Sequence, residues 1–568
     1  MKIIGINSGI DGRFEKIDAG GSALIIDGKI IMALAEERIT RVKHDCGYSK
    51  SLEFILKSTN LKMEDIDCFY ISFYGTPYNP SKDVMNFHIN KLGLHQRPES
   101  LITISSHHFS HAVSSFFLSP FEKAIIMVSD SEGSELLFDA SNIAATQWCE
   151  RNSYYFASHN KIHLIGRDFE SPGEIGFGKA YTRFTRYIGF ENYHAAGKTM
   201  GLAAYGQLSK EMLDIDIWNM DYDGKLRSNL TSTSISGEGI KLFFENKGIK
   251  IPEMGTKNTY NDKEYQNLAA FVQYQLNKFS MRKIEYLVKM TGVKIVCIGG
   301  GVALNTTMNS FLENELGIKI FVPPYPCDEG QALGNAIYGY IQETKFGNNS
   351  TLPIKRFTDF IYLGSEYSDQ QIESIFSDES ISYWNINSDY DICKKTSELI
   401  AKGYIVGWFQ GKSEYGARAL GNRSILADPR VAEFKSSLNI IKGRELFRPF
   451  APSVLKEYAD SYFEIKDSEL YKYMLGVAKV KNDKIDVIPA VVHVDHTSRI
   501  HIVDRQSNEL FYRLIFEFYS RTGVPLVLNT SFNFAGEPIV ESPLDALKSA
   551  TKMNLDILVI GKYLLTRK

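Results

Sequence analysis

The stretch Ser106-His107-His108-Phe109-Ser110-His111, with the apolar run after it, constrains this chain most tightly. His107 and His111 stand four positions apart, so a helix stacks their imidazoles one turn apart on a single face. His108 points about 100° away on the same helix. Ser105 or Ser106 can supply the N-cap oxygen. Residues 123–129 read as an apolar strand, and Asp130 follows its end, where carboxylates tend to face a cleft. A helix carrying paired imidazoles and a strand delivering a carboxylate can hold a divalent cation. The same spacing also fits two histidines on an ordinary buried or polar face. The HExxH pattern is absent, because His108 and not glutamate follows His107.

At 568 residues the chain is too long for one compact core, so two or more domains are expected. Hydrophobic residues at 44% and charged residues at 23% are ordinary for a globular protein. A net charge of −3 provides no global field to draw the protein to nucleic acid or membrane. The six cysteines are scattered without a CxxC pair, which argues against a disulfide framework or a cysteine zinc site and for reduced thiols. With no apolar signal-peptide core and no long apolar run, the expectation is a soluble, cytoplasmic protein.

Residues 2–6 form an apolar strand, and residues 22–26 and 29–35 flank Asp27-Gly28, a strong hairpin signal. The glycine-rich loop at 7–21 suits either a phosphate or plain solvent. Residues 36–44 read as a mostly solvated charged segment, 51–60 as a helix and 68–73 as a strand. The run HAAGKTMGLAAYG at 194–206 contains GKT without P-loop spacing, since Asn192 stands where a glycine is needed. Its small residues allow close approach either to a ligand or to another helix. Residues 207–261 look polar and irregular, like a surface insertion, whereas 265–289 have helical periodicity. Residues 293–305 give a buried strand, three glycines and a helix start, a unit that suits a nucleotide phosphate. Asp328 again follows a short strand (319–322) and precedes a small-residue helix at 331–340. The polar stretch 345–356 is the best linker, placing domains at 1–345 and 359–568 with 346–358 between them.

The second half has a different charge character. Between residues 411 and 448, eight Lys/Arg face four acids, although the chain as a whole is acidic. Arg418, Arg423, Lys442, Arg444 and Arg448 lie here, the last three within seven positions beside Phe447 and Phe450. Guanidinium forks match phosphate oxygens bidentately; surface salt bridging is the ordinary alternative. Residues 525–533 read as a strand ending in the hydrogen-bonding side chains Asn529 and Ser531. Residues 544–553 and 556–560 form a last helix and strand.

Taken in order, ALAEER (33–38), HHFSHA (107–112), HAAGKTMGLAAYG, GGGVALN (299–305), PPYPCDEGQALG (323–334), GARALGNRSILADPR (416–430), KGRELFRPFAPS (442–453), HVDHTSR (493–499) and NTSFNFAGEPIVESP (529–543) resemble the O-carbamoyltransferases of antibiotic and nodulation-factor biosynthesis. The resemblance implies an α/β protein with an N-terminal actin/sugar-kinase-like pair of duplicated lobes, similar to the tRNA threonylcarbamoyl transferase. A C-terminal α/β domain similar to the threonylcarbamoyl-adenylate synthase would follow. It implies that carbamoyl phosphate and ATP, with Mg²⁺, yield carbamoyl adenylate, whose carbamoyl group moves to a hydroxyl of a small natural product. It places Fe(II) on His107, His111, Asp130 and Asp328, a donor set that also suits Mn(II) or Zn(II). Gly197, Lys198, Gly201, Gly299, Gly300, Gly301 and Asn305 would cradle the nucleotide of the transfer domain. Arg418, Arg423, Lys442, Arg444, Arg448, Arg499, Asn529 and Ser531 would hold carbamoyl phosphate and ATP. Members are often dimers, so a homodimer is the matching expectation, without membrane or nucleic-acid partners.

One departure stands out. Where the family's pattern has a histidine after the first strand this chain has Ile17, in a longer loop, leaving Asp18 beside it and the Lys43-His44 pair as catalytic candidates on the acceptor side. Two other readings remain at this stage. A tRNA threonylcarbamoyl-type enzyme would want a basic face that the overall charge does not favour. A non-catalytic nucleotide-binding homologue would explain the missing histidine.

Overall fold

Alternating apolar and β-branched runs make the strands of two sheets that share one plan. The computed structural model describes residues 1–9, 19–73, 82–131, 133–136, 148–170, 174–191, 193–230, 237–344, 356–379 and 381–566. Asp18 and Ile17, most of the 7–21 loop and most of the 346–358 linker lie outside the described residues. In the first sheet the order is Lys29–Ala35, Gly21–Ile26, Lys2–Asn7, Cys68–Ser72, Leu101–Thr103. The first three strands run antiparallel to their neighbours, and the last two continue parallel to Lys2–Asn7. The second sheet runs Lys161–Glu170, Trp148–Ser158, Lys123–Ser129, Ile295–Gly299, Lys319–Phe321, with the same alternation of senses. Same order and same senses in two sheets of one unit make the duplicated lobes that the resemblance implies.

The helix His107–Phe117 lies between these sheets' elements for a simple packing reason. Gln331–Glu343 packs on Lys2–Asn7 of the first sheet and on His107–Phe117, which itself packs on Lys123–Ser129 and Ile295–Gly299 of the second. The two helices approach closely because position 334 is glycine: a Cβ there would stand 2.3 Å from the Ser110 carbonyl oxygen.

The chain divides into two compact units, Met1–Glu36 with Asp45–Thr358, and Glu37–His44 with Asp359–Lys568. The second unit is built on an eight-stranded mixed sheet with Val406–Phe409, Arg423–Ala427 and Leu526–Ser531 at its centre. The helices Asp389–Ala401 and Glu509–Thr522 pack against each other beside it.

Three local expectations change. Residues 36–44 are not simply solvated: Arg38 is 4% exposed, pairs with Glu541 at 3.1 Å and donates to the carbonyls of Glu414 and Gly416. Arg41 donates to the carbonyls of Pro538 and Ile539. A segment from the first forty-four residues therefore completes the second unit's core. Residues 207–261 are not a loose insertion either, since Trp218 is fully buried, donates its indole N–H to Ile175 O, and lies in the hairpin Trp218–Met220/Leu226–Ser228. Their apolar residues (Trp218, Phe243, Phe244) are too widely spaced to show a period in the sequence. At the linker's end, Arg356 sits over the Phe116 ring and Phe357 is buried, so the first unit extends to Thr358. Among the described residues no helix is long and apolar enough to cross a membrane.

Candidate metal centre and basic cluster

Ser106 caps the helix His107–Phe117, its side chain accepting from Phe109 N, and so fixes where the first turn begins. The Ser106 hydroxyl donates in turn to the buried Glu150 carboxylate, which also accepts from Ser134 N and pairs with Arg167. The His107 N–H is met by Ser134 Oγ at 2.9 Å. With the first turn held this way, the imidazoles of His107 and His111 emerge on one buried face.

Asp130 leaves the end of Lys123–Ser129 and accepts from Gly301 N at 3.0 Å and from Ser131 N at 2.7 Å. Asp328 opens a single 3-10 turn ahead of Gln331–Glu343, and Asn7 Nδ2 holds its carbonyl at 2.8 Å. Asp328 Oδ1 lies 3.2 Å from Nε2 of both His107 and His111, and Asp130 Oδ2 lies 3.5 Å from His111 Nε2. One donor atom from each of the four residues lies within 4.8 Å of the others. Two imidazole nitrogens and two carboxylate oxygens converging in a buried place fit a divalent cation of the Fe(II), Mn(II) or Zn(II) kind. The charges are strongly coupled. Burial penalises the His107 imidazolium, but the adjacent Asp328 carboxylate outweighs it and raises His107 to about 9. Asp328 is held well below the usual carboxylate range, because the two imidazoles overcome its own burial. Burial and the neighbouring Asp328 charge push Asp130 upward.

The three glycines at the end of Ile295–Gly299 serve this same place. Gly300 has φ +84, and a Cβ on it would stand 2.3 Å from Ser129 O; one on Gly301 would stand 3.1 Å from Asp130 Oδ1. Lack of side chains here lets the turn close on the Asp130 strand and aim Gly301 N at the carboxylate. Asn305 is not open to a ligand: its Oδ1 caps Thr306–Leu316 through Met308 N, and its amide exchanges hydrogen bonds with Gln273. Gly197, Lys198 and Gly201 all fall in the helix Ala196–Ala203, with Lys198 over the Phe190 ring. Gly206, just beyond, packs against Gln266 O and Ala270. Of the acceptor-side candidates, Lys43 Nζ pairs with Glu37 at 3.1 Å and His44 N donates to the same carboxylate. Both belong to the second unit.

In that unit Lys442 is fully buried at the end of Phe434–Ile441 and donates to the carbonyls of Ser531 and Asn533. Arg444 Nη2 donates to Ser531 Oγ at 3.3 Å, and Ser531 Oγ donates to Asn533 Oδ1 at 2.6 Å. Burial and the neighbouring Arg444 and Arg448 lower Lys442 far below its ordinary range. Burial, then Arg448, lowers Arg444 to about 9. Arg499 is lowered by burial and by Arg418, Arg448 and Arg444, and its Nε has no partner. Arg418, Lys442, Arg444, Arg448 and Arg499 are thus brought together as a cationic cluster, with Ser531 and Asn533 beside them.

Two expected members are placed elsewhere. Arg423 is fully buried, stacks 3.6 Å above the Phe409 ring, and donates to the carbonyls of Ser365, Gln410, Gly411 and Asn422. Its Nη1 and Nη2 groups are occupied by backbone carbonyls, while its buried Nε has no partner. Asn529 Nδ2 donates to Ala419 O and Ser453 Oγ. Sequence reasoning in turn passed over Gln331, Glu150 and Asn533. Gln331 comes three positions after Asp328, on the turn that follows it, and Asn533 two positions after Ser531, so both had a spacing signal. Glu150 carries none, since only the fold brings it under Ser106.

The sequence matches the family described as Carbamoyltransferase N-terminus over residues 81–337, and Carbamoyltransferase C-terminus over 397–567. The nodulation protein NolNO of Sinorhizobium fredii is 32% identical over 97% of this chain and 79% of its own. NolO of Bradyrhizobium diazoefficiens is 33% identical over 82% of this chain and 79% of its own. An uncharacterized protein of Methanocaldococcus jannaschii, MJ1051, is 30% identical over 96% of this chain and 97% of its own. Among solved structures, full-length HypF in a phosphate- and nucleotide-bound form is 12% identical over 61% of this chain and 56% of its own, with a TM-score of 0.35. With both family segments present in order and NolNO matched along nearly the whole of this chain, the chain belongs to the carbamoyltransferase family.

Proposed function

We propose that this enzyme activates a carbamoyl group as carbamoyl adenylate from carbamoyl phosphate and ATP, and then transfers it to a hydroxyl of a small molecule. The observation that carries the reading is the cationic cluster of the second unit, in which Lys442 is buried without a carboxylate bonded to its ammonium. Like charges driven together against burial call for a polyanion, and triphosphate and acyl phosphate are such anions. There Lys442 and Arg444 fix phosphate oxygens, Arg448 and Arg499 balance charge on the leaving phosphates, and Ser531 and Asn533 add neutral hydrogen bonds. One water is consumed, inorganic phosphate and pyrophosphate leave, and the carbamoyl carbon ends joined through oxygen to the α-phosphorus.

In the first unit His107, His111, Asp130 and Asp328 would hold a divalent cation, iron(II) in our reading, which when bound supplies positive charge to the adenylate phosphate as AMP leaves. The chain's own groups do the rest. The backbone N–H of Gly301 orients Asp130, Asn7 fixes the Asp328 turn, and the buried walls exclude water that would hydrolyse a mixed anhydride. The acceptor oxygen then bonds to the carbamoyl carbon, the bond to AMP breaks, and the hydroxyl proton passes to a base. Of the sequence candidates for that base, Lys43 and His44 belong to the second unit and Asp18 lies outside the described residues. The nucleotide cradle is proposed at Gly197–201 and Gly299–301, reached through small residues.

The test is pyrophosphate exchange into ATP with Fe(II)-loaded protein, measured with and without carbamoyl phosphate. Exchange that requires carbamoyl phosphate is expected. Its complete absence sinks the activation step. Mass spectrometry of hydroxylated metabolites incubated with the same mixture would then identify the acceptor by a gain of one carbamoyl group.

A further inference from the structure

A fifth side chain abuts three of the four residues of this cluster. Gln331 Nε2 lies 3.1 Å from Asp328 Oδ1 and 3.2 Å from His111 Nε2. It also lies 3.1 Å and 3.2 Å from the two ring nitrogens of His107. An amide nitrogen brings only two hydrogens, and here it meets four ring or carboxylate atoms. Its other end is anchored: Gln331 Oε1 accepts from Ser72 Oγ at 3.0 Å, and Ser72 Oγ accepts from Asn335 Nδ2 at 2.8 Å. Asn335 Nδ2 also donates to Ile6 O at 2.7 Å. Gln331, Asn335 and Ser72 are all buried, with Gln331 and Asn335 one turn apart on Gln331–Glu343. The amide therefore cannot swing away from the cluster without breaking this chain of hydrogen bonds.

A primary amide turned over about its terminal bond occupies the same space with oxygen and nitrogen exchanged. In that orientation Oε1 faces His107, His111 and Asp328, and Nε2 donates to Ser72 Oγ. A hydroxyl accepts two hydrogen bonds and donates one. Ser72 can then accept from Gln331 and Asn335 together and donate to Asn7 Oδ1, which stands at 3.5 Å. The anchoring network is thus satisfied in either orientation, while the inward end changes from a crowded donor to a hard oxygen ligand of the type divalent first-row metals accept.

We propose that Gln331 is the fifth protein ligand of the metal centre, binding through Oε1 and held in place by Ser72 and Asn335. The proposal rests on the reading of His107, His111, Asp130 and Asp328 as that centre.

The full-length protein, stripped and reloaded with Co(II), provides the test by visible absorption and by competitive titration with a chelator. Gln331→Met keeps length but removes the oxygen. It is expected to weaken Co(II) binding at least about tenfold, as loss of groups supporting a metal does, and to shift the d–d bands. Gln331→Glu puts an oxygen in the same place and is expected to bind Co(II) as tightly as wild type or more so. Were the amide only a hydrogen-bond donor, the added carboxylate beside Asp328 and Asp130 would instead disrupt the site. Wild-type affinity and spectrum in Gln331→Met, or loss of binding in Gln331→Glu, overturns the proposal. Wild-type protein that takes up no Co(II) at all overturns the centre itself and Gln331 with it. Thermal unfolding of the metal-free variants is compared alongside. If Gln331→Met does not fold, Gln331→Glu and Ser72→Ala decide the matter, the latter by a smaller loss of affinity with the bands shifted in the same sense.

Discussion

The two clusters hold buried charge in opposite ways. In the first unit, two imidazoles alternate with two carboxylates, and Gly301 N and Asn7 support the carboxylate-bearing turns. In the second, Lys442, Arg444 and Arg499 are shifted toward losing their protons by burial and by neighbouring guanidinium groups, Arg448 among them, while Arg448 itself is lowered by burial and pairs with Glu445 at 3.7 Å at the cluster's edge. A balanced cluster is stable alone and accepts a cation by giving up protons. A cluster in which buried cations outnumber acids is costly alone and is relieved by an anion or by loss of a proton. On the proposed function, that difference favours a cation at the first place and an anion at the second.

The sharpest way to break this comparison is to neutralise Lys442. Lys442→Met is expected to lower carbamoyl-phosphate-dependent pyrophosphate exchange by about 10²–10³-fold, the scale for losing one preorganised electrostatic contact. Yet the unliganded protein should be no less stable, because an uncompensated buried charge is removed. Exchange kinetics and thermal unfolding are measured on the same sample. A clear loss of stability with exchange intact would make Lys442 a structural post.

Arg38 in the same unit should behave oppositely. It is paired with Glu541, which also accepts from Ser365 and Ser413 and is 2% exposed. Arg38→Met leaves that carboxylate buried without its ion-pair partner and with only the more distant charge of Arg423, and a loss of about 3 kcal/mol is expected from denaturant unfolding. Expression of residues 359–568 without Glu37–His44 should show the same defect. A stable fragment would mean that the N-terminal excursion is dispensable.

Proton linkage provides a third contrast. His107 is raised from 6.5 to about 9, so its stabilisation of metal-free protein is complete below about 6.5 and lost as pH rises through 9. The corresponding free energy is about 3 kcal/mol. Asp328 is depressed, so its share is present above 3.8 and lost on acidification. Lys442 and Arg444 are bases with lowered values, which destabilises the fold at neutral pH and is relieved as pH rises. Hydrogen exchange resolved to each unit should therefore show protection falling around His107–Phe117 between pH 6.5 and 9, and rising around Phe434–Ile441 as pH climbs above about 9. Added metal should abolish the first trend, since it takes the deprotonated imidazole. Parallel trends in the two units would refute the charge assignments.

What the sequence revealed, and what it hid, follows from the range of the interactions. The i, i+4 histidines, the Asp27-Gly28 hairpin and the strand before Asp130 are local patterns, and the structure has them within a residue or two of the expected bounds. The four cation-binding candidates converge although Asp328 is more than two hundred residues from His111, because three of them are tied to the ends of legible elements. Arg423 and Asn529 looked like ligands because residue type and spacing do not reveal which way a side chain turns. Arg38 looked solvated because its partner Glu541 is 503 residues away, a pairing that no local pattern encodes. Gln331 was hidden for a different reason. A neutral amide in a helix normally faces solvent, and only the close approach of the helices at Gly334 and Ser110 turns this one into the core.

The smallest effect is expected at the cap that aligns the imidazoles. Ser106→Ala removes the acceptor for Phe109 N, worth about 1 kcal/mol at a helix N-terminus. It also strips two contacts from Glu150, which keeps Ser134 N and Arg167. The fold should survive with a modest drop in stability, and metal affinity should fall severalfold as the first turn loosens around His107. Because Ser106 touches no member of the cation cluster, pyrophosphate exchange should be unchanged while overall carbamoyl transfer declines. Measuring both in one preparation separates the two places functionally: an equal loss in both would show that the activation step, too, depends on the helix His107–Phe117.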